Sequence, residues 1–281
     1  MSIMELVIVI DESGEKGNSY RKETQTRDFG LMAAYCLPAH GLEYVNSTLE
    51  RKFSHLFQRG VKPHLADLSP QEREQYRADA LEFLESHKIS WSYTAIHVNG
   101  FHDQMSKRRG KKNLHEALFG MLITKIVALA YSKNTDVPIK LKIISDNLNS
   151  GEIVKFKNEL VSYLDFLKTG TMTFLHPVRS KEPSLRRVDK LVATTPEELH
   201  TNWDVSFSIS TEVSPLTFVA DVLSHTTYKL LKANIEKSEV PPDKLNHERL
   251  IDNHPLKEYA VCLSTDGLEL SEDSFYSYKS L

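Results

Sequence analysis

"LVIVIDESGEKG", residues Leu6–Gly17, decides how the rest of the chain is read. Leu6 to Ile10 are apolar without interruption, and they run straight into Asp11 and Glu12 and then a Ser-Gly pair. A short apolar run closed by a turn signal is the pattern of a strand covered on both faces. Acids at its end have two readings. They form an acidic turn in which Gly14 supplies a positive φ, or they stand at a strand end where α/β folds place their sites. The other carboxylates of the chain have to choose between the two.

Outward from this strand, "DFGLMAAYCL" (28–37) is a second β-capable run, and the short polar, Gly-containing stretch before it suits an antiparallel hairpin. "LEYVNSTLERKFSHLF" (42–57) has the three-and-four apolar spacing of an amphipathic helix. In "LSPQEREQYRADALEFLESHK", Ser69 is the N-cap and Pro70 the first helical residue, which is the sharpest helix start in the chain. "SWSYTAIHV" (90–98) reads as a strand, "QMSKRRGKKN" (104–113) as a basic loop, and "LHEALFGMLITKIVALAYSK" (114–133) as a largely buried helix. "PIKLKIISD" (138–146) is a strand ending at Asp146, followed by a helix over 150–168 with Ser150 as its cap. "MTFLHPV" and "WDVSFSIS" are further strands separated by a charged loop, and a last helix covers 214–233 with Pro215 at its start. Strands and helices in this mixed order predict an α/β domain with a mixed sheet. No GxGxxG and no GxxxxGK[ST] occurs, so dinucleotide and P-loop chemistry lack their residues.

The composition is that of an ordinary globular chain: 281 residues, 40% hydrophobic and 26% charged. A net charge of −3 argues against coating nucleic acid through bulk charge, so any such contact must come from local patches. No apolar run approaches the ~20 residues of a spanning helix and no leader pattern opens the chain, so a cytoplasmic location and no membrane partner are expected. Cys36 and Cys262 lie far apart in apolar segments and read as free thiols.

Acids at element ends carry the functional signal. Asp11 and Asp146 each close an apolar strand, so if the two strands are neighbours both carboxylates emerge at one edge of the sheet. Asp221 sits in "LTFVADVLSHT", where a charge among Phe218, Val219, Ala220, Val222 and Leu223 is costly unless it meets something positive. Three gathered carboxylates repel one another unless a divalent cation joins them, and Mg²⁺ prefers such hard oxygen ligands.

The pattern "VIVIDESG", a later "IISD" and a late "ADVLS" helix resembles an RNase H-like family catalogued as a domain of unknown function (number 3800), over roughly residues 5–235. The resemblance implies an RNase H-like mixed sheet flanked by helices, with helical insertions, over residues 1–235; the polar, Ser/Tyr-rich stretch 236–281 reads as a loosely packed C-terminal extension packed on or flanking the same domain. The resemblance also implies Mg²⁺ or Mn²⁺ held by Asp11, Asp146 and Asp221, Glu12 as a catalytic helper, and two-metal hydrolysis of phosphodiester bonds. Where the family often has "E-x-H-A-T-D" this chain has "KPHLAD", keeping His64 and Asp67 but placing Lys62 where the Glu would be; Phe218 replaces a Gln of the late helix. Glu12 or Asp67 would then have to stand in for the missing acid. The Lys62 departure also motivates an alternative: an inactive binding or partner subunit on the same fold, in a bacterial or phage-related defence or mobile-element system.

Bland readings stand beside these. Asp221 and His225 lie one helical turn apart and suit a mutual hydrogen bond as well as a site with His225 moving a proton. His64 is a satisfied loop histidine or a general acid. Lys107, Arg108, Arg109, Lys111 and Lys112, with Arg186 and Arg187 in "RSKEPSLRRVDK" (179–190), are either solvated or contact phosphates. A Ser-His-Asp hydrolase using Ser13 lacks the GxSxG elbow. The expected activity is therefore a metal-dependent nuclease; its partner is nucleic acid, with a protein partner or a second copy of the chain as further candidates.

Overall fold

The computed structural model describes residues 3–15, 29–57, 63–98, 114–133, 137–169, 171–178, 187–194, 204–237, 251–261 and 275–276. In chain order the strands are β1 (Met4–Gly14), β2 (Phe29–Pro38), β3 (Trp91–His97), β4 (Ile139–Ser145), β5 (Thr171–Val178), β6 (Arg187–Thr194), β7 (Val205–Thr211) and β8 (Phe275–Tyr276). The helices are α1 (Leu42–Phe53), α2 (Pro70–Ser86), α3 (Leu114–Lys133), α4 (Ser150–Thr169) and α5 (Pro215–Lys237). One mixed sheet has the order β7-β4-β1-β2-β3-β8, and β5 and β6 pair apart from it as an antiparallel ribbon. β2 is antiparallel to both β1 and β3, while β4 runs parallel to β1 and β7 parallel to β4. The α/β class and the β1–β2 hairpin pairing are as the sequence predicts.

β1 lies at the middle of this sheet, and its side chains alternate between two cores. Val7 and Val9 join Leu31, Ala33, Tyr35, Trp91 and Tyr93 beneath α1, α2 and α5. Ile8 and Ile10 join Met32, Ala34, Ile96 and Ile143 beneath α3 and α4. This explains the unbroken apolar run: a strand with helices on both sides has no solvent face to leave polar. Gly14 ends β1 with φ +85°, and a Cβ there would stand 2.6 Å from Phe29 O, so the turn chemistry read from the sequence is present as well.

Local signals account for most helix boundaries. Ser69 and Glu72 form a full capping box ahead of Pro70, as expected. The cap of α4 differs from expectation. Asn149 Oδ1 accepts from Glu152 N–H (3.0 Å) and Glu152 Oε2 accepts from Asn149 N–H (2.9 Å), so Asn149 caps and Ser150 is the first helical residue. Helix α1 stops at Phe53 and continues as a 3₁₀ turn over Ser54–Phe57. The stretch that reads as a charged loop contains β6, which pairs residue for residue with β5.

Two further expectations need correction. Leu114–Tyr131 in α3 is long and apolar enough to cross a membrane by composition, contrary to the reading that no such run exists, but 72% of it is buried in the protein. Its apolarity is used in packing on β2, β3 and α4. Residues 251–261, within the extension expected to pack on or flank the domain, are not loose: they put Ile251 and Leu256 into the α5-side core. Trp91 Nε1 donates to Leu256 O (2.7 Å), and Val261 N donates to Trp91 O (2.7 Å). Cys36 is a free thiol that burial pushes up to about 12; Cys262 lies outside the described residues.

His254 anchors this C-terminal segment. Its Nδ1 accepts from Leu256 N–H (3.1 Å), which leaves the proton on Nε2 to meet Thr227 Oγ1 (3.2 Å), and its ring lies 4.4 Å from that of Trp91. Burial pushes its pKa down to about 4. A lowered histidine pKa means that the unfolded chain takes the proton first, near 6.5, so stability is full above that pH and falls as pH drops toward 4. Denaturant unfolding of the wild type should lose on the order of 3 kcal/mol from this group between pH 7 and 4. His254→Gln should be flatter over the same range.

Candidate functional site

Sheet register places the acids. Ile10 of β1 is opposite Ser145 of β4, and Ser145 is opposite Thr211 of β7. The next residue on each of the three parallel strands is an acid: Asp11, Asp146 and Glu212. Glu212 N donates to Ser145 O (2.9 Å), carrying the ladder one step past the rung. Asp11 and Asp146 are only 5% and 6% exposed. Asn147, in the left-handed region at φ +50°, turns the chain directly after Asp146 toward the Asn149 cap. A recess of about 270 Å³ lined by Asn147, Asn149, Thr211 and Glu212 opens at the same edge.

Helix α5 closes the edge from one side. Only Glu212–Ser214 separate it from β7, and Thr217 Oγ1 donates back to Glu212 O (3.0 Å). Ser224 Oγ donates to Asp11 Oδ2 at 3.1 Å, with Asp221 O an alternative acceptor at 3.1 Å. The Tyr35 hydroxyl, which donates to Leu216 O (2.9 Å), is pushed well above its usual range by burial and then by the charge of Glu212.

Asp221 meets a backbone donor. Its Oδ2 accepts from Leu65 N–H at 2.8 Å, while its helix neighbours Phe218, Val219, Ala220, Val222 and Leu223 are fully buried. The bond fastens the 3₁₀ turn Leu65–Asp67 to α5, with exposed His64 directly before the turn and exposed Asp67 at its end. Asp221 and His225 are not joined by a hydrogen bond through Nδ1, which is buried without a partner among the described residues. Burial lowers the pKa of His225; Lys229, Arg77 and Arg73 lower it further, and Asp221 opposes them. The imidazole is thus neutral at neutral pH.

Glu12 goes elsewhere. Strand alternation sends it to the face of Ile8 and Ile10, and its Oε2 lies 3.3 Å from His115 Nε2 on α3. Register places Asp11, Asp146 and Glu212 one step past a common rung, Asp221 lies on α5, and Glu12 goes with His115 to the opposite side. Lys62, Lys107, Arg108, Arg109, Lys111, Lys112 and Arg186 lie outside the described residues, and Arg187 opens β6. Among the described residues, no three His, Cys, Asp or Glu side chains stand close enough to hold a metal ion alone.

Glu212 escaped the sequence reading, although its signal was present. "SFSISTE" ends a strand in an acid as "KIISD" does, but its alternating polar serines hid the parallel. Compared with protein-family models and with curated proteins, the chain matches none.

A hydrogen bond to a charged acceptor contributes about 1.5–3 kcal/mol. Asp221→Asn should therefore speed hydrogen exchange at the Leu65 amide about tenfold. Ser224→Ala, which touches Asp11 instead, should leave that amide unchanged.

Proposed function

We propose that the chain is a metal-dependent nuclease of RNase H-like architecture that hydrolyses phosphodiester bonds. The observation that carries this reading is the shared rung of β1, β4 and β7 with an acid next on each strand. The sheet order is compatible with it. The first strand is central and bears Asp11, a neighbouring parallel strand leads to Asp146, and the late helix bears Asp221.

The donor set suits a hard divalent cation. Asp11 and Asp146 would hold Mg²⁺ or Mn²⁺, with Glu212 and Asp221 bordering it. Mg²⁺ commonly takes only one or two carboxylates and completes its shell with water and substrate phosphate, so a wide acidic edge is sufficient. Bound there, the ion supplies neutralisation of phosphate charge and an acidified water. Ser224 orients the Asp11 carboxylate by its hydrogen bond. Neutral His225, one turn from Asp221, is free to take a proton through Nδ1. Nucleic acid is the expected substrate, and the cytoplasm the expected location.

A second reading, an inactive binding or partner subunit, is favoured by the lack of a ready three-ligand cluster among the described residues. Calorimetry with Mn²⁺ separates the two: carboxylate-dependent binding supports the enzyme, and no binding supports the subunit. Purified protein should cut DNA or RNA with Mg²⁺ or Mn²⁺. Asp11→Asn should lower the rate at least ~100-fold, since metal-held charge stabilisation contributes several kcal/mol. Protein that cuts neither polymer, or cutting that survives Asp11→Asn, would refute the enzyme reading.

A further inference from the structure

Beyond Asp221 along α5 lies a second cleft, of about 350 Å³, lined by Arg77 of α2, by Thr226, Lys229, Leu230 and Ala233 of α5, and by Asn253. Asp221, His225 and Lys229 follow one another at four-residue spacing, so they share one face of the helix, and Lys229 stands ~12 Å along the axis from Asp221.

The guanidinium of Arg77 is only partly used. Its side chain is 16% exposed, and Nη1 pairs with Glu74 Oε1 at 2.5 Å. Nε and Nη2, the two nitrogens of its other edge, are buried with no hydrogen-bond partner among the described residues, and the same holds for Thr226 Oγ1. Arginine cannot shed its charge, and buried donors without acceptors are costly. Arg77, Arg73 and Lys229 all press on His225, so three cations converge on this stretch of α5 against the acids Glu74 and Asp221. Arg73 gives Nη2 to Ala66 O (2.9 Å) and Leu68 O (3.0 Å), and its Nε is buried without a partner among the described residues as well, but it is Arg77 and Lys229 that line the cleft. Two parallel N–H donors on one edge of a guanidinium match two oxygens of a phosphate, and the nearby ammonium adds charge without a fixed direction. The apolar surface of Leu230 and Ala233 excludes water and strengthens that attraction.

We propose that this cleft is a phosphate subsite, in which Arg77 Nε and Nη2, Thr226 Oγ1 and Lys229 Nζ take a backbone phosphate of the nucleic acid whose scissile group lies at Asp11. As a nucleic-acid subsite it rests on the nuclease reading; as a phosphate site it rests on the cleft alone. It would set the path of the strand along α5 and fix register without reading sequence.

The test uses the full chain with Asp11→Asn to stop cleavage, a fluorescent single-stranded 12-mer, and inorganic phosphate. Adding Arg77→Gln with Lys229→Gln should weaken oligonucleotide binding about tenfold or more. It should also flatten the slope of log K against log salt by about 0.7 for each phosphate no longer neutralised. Lys229→Gln alone changes an exposed side chain and gives the same test without risk to folding; Lys237→Gln, at the end of the same helix, is the control. Inorganic phosphate should raise the melting temperature of the parent protein and not that of the double variant. A phosphate effect that depends on Arg77 and Lys229 supports the cleft even in a protein that cuts no nucleic acid, an outcome that removes the nuclease reading only. Unchanged oligonucleotide affinity, salt slope and phosphate effect in the double variant would overturn the subsite.

Discussion

The register between β1 and β4 is the constraint on which the site depends. With β1 buried on both faces, each of its side chains is assigned to one core or the other. A slip of one residue would exchange Val7 and Val9 for Ile8 and Ile10, and Asp11 for Glu12. Filling two cores at once prevents that slip. The same register that seats Val9 beside Ile144 puts Asp11 and Asp146 one step past a common rung. A packing requirement thereby becomes a placement of charge.

Helix α5 closes that edge from one side. Its apolar stripe, with Phe218, Val219, Val222 and Leu223 fully buried, forces Asp221 and Ser224 to lie against the sheet end rather than in solvent. Both are satisfied there. Ser224 reaches Asp11 and Asp221 takes the Leu65 amide, so the segment after α1 is tied to the helix by a charge-assisted bond. Further along, the same helix receives His254 through Thr227 and, with Trp91 and Leu256, the C-terminal segment. One helix thus organises the acidic edge, the basic cleft and the chain's late packing.

Much of this was legible in the residues, for local reasons. Ser69, Pro70 and Glu72 announce a helix start because capping satisfies backbone groups within four residues. The apolar run of β1 announces a doubly covered strand. Where expectations missed, the missing information was not local. Asn149 and Ser150 are both capping types, and only the side chain that reaches Glu152 N–H settles which one caps. α3 is apolar enough for a membrane, and its use in packing is a fact about β2, β3 and α4 rather than about its own residues. Residues 251–261 look polar in sequence, yet Ile251, His254 and Leu256 suffice to dock them, because Trp91 and Thr227 wait as partners.

By itself, the sequence determined that Asp11, Asp146 and Asp221 sit at the ends or on the buried faces of strong elements, since periodicity and turn chemistry act over a few residues. Tertiary structure alone decided which acids share an edge of the sheet. Strand order and register, set by the fit of two cores, brought Glu212 to the rung of Asp11 and Asp146. Pleat alternation sent Glu12 through to His115. Neighbours Asp11 and Glu12, one covalent step apart, finish on opposite sides of the sheet, because a strand turns successive side chains to opposite faces and the two cores hold it in that phase.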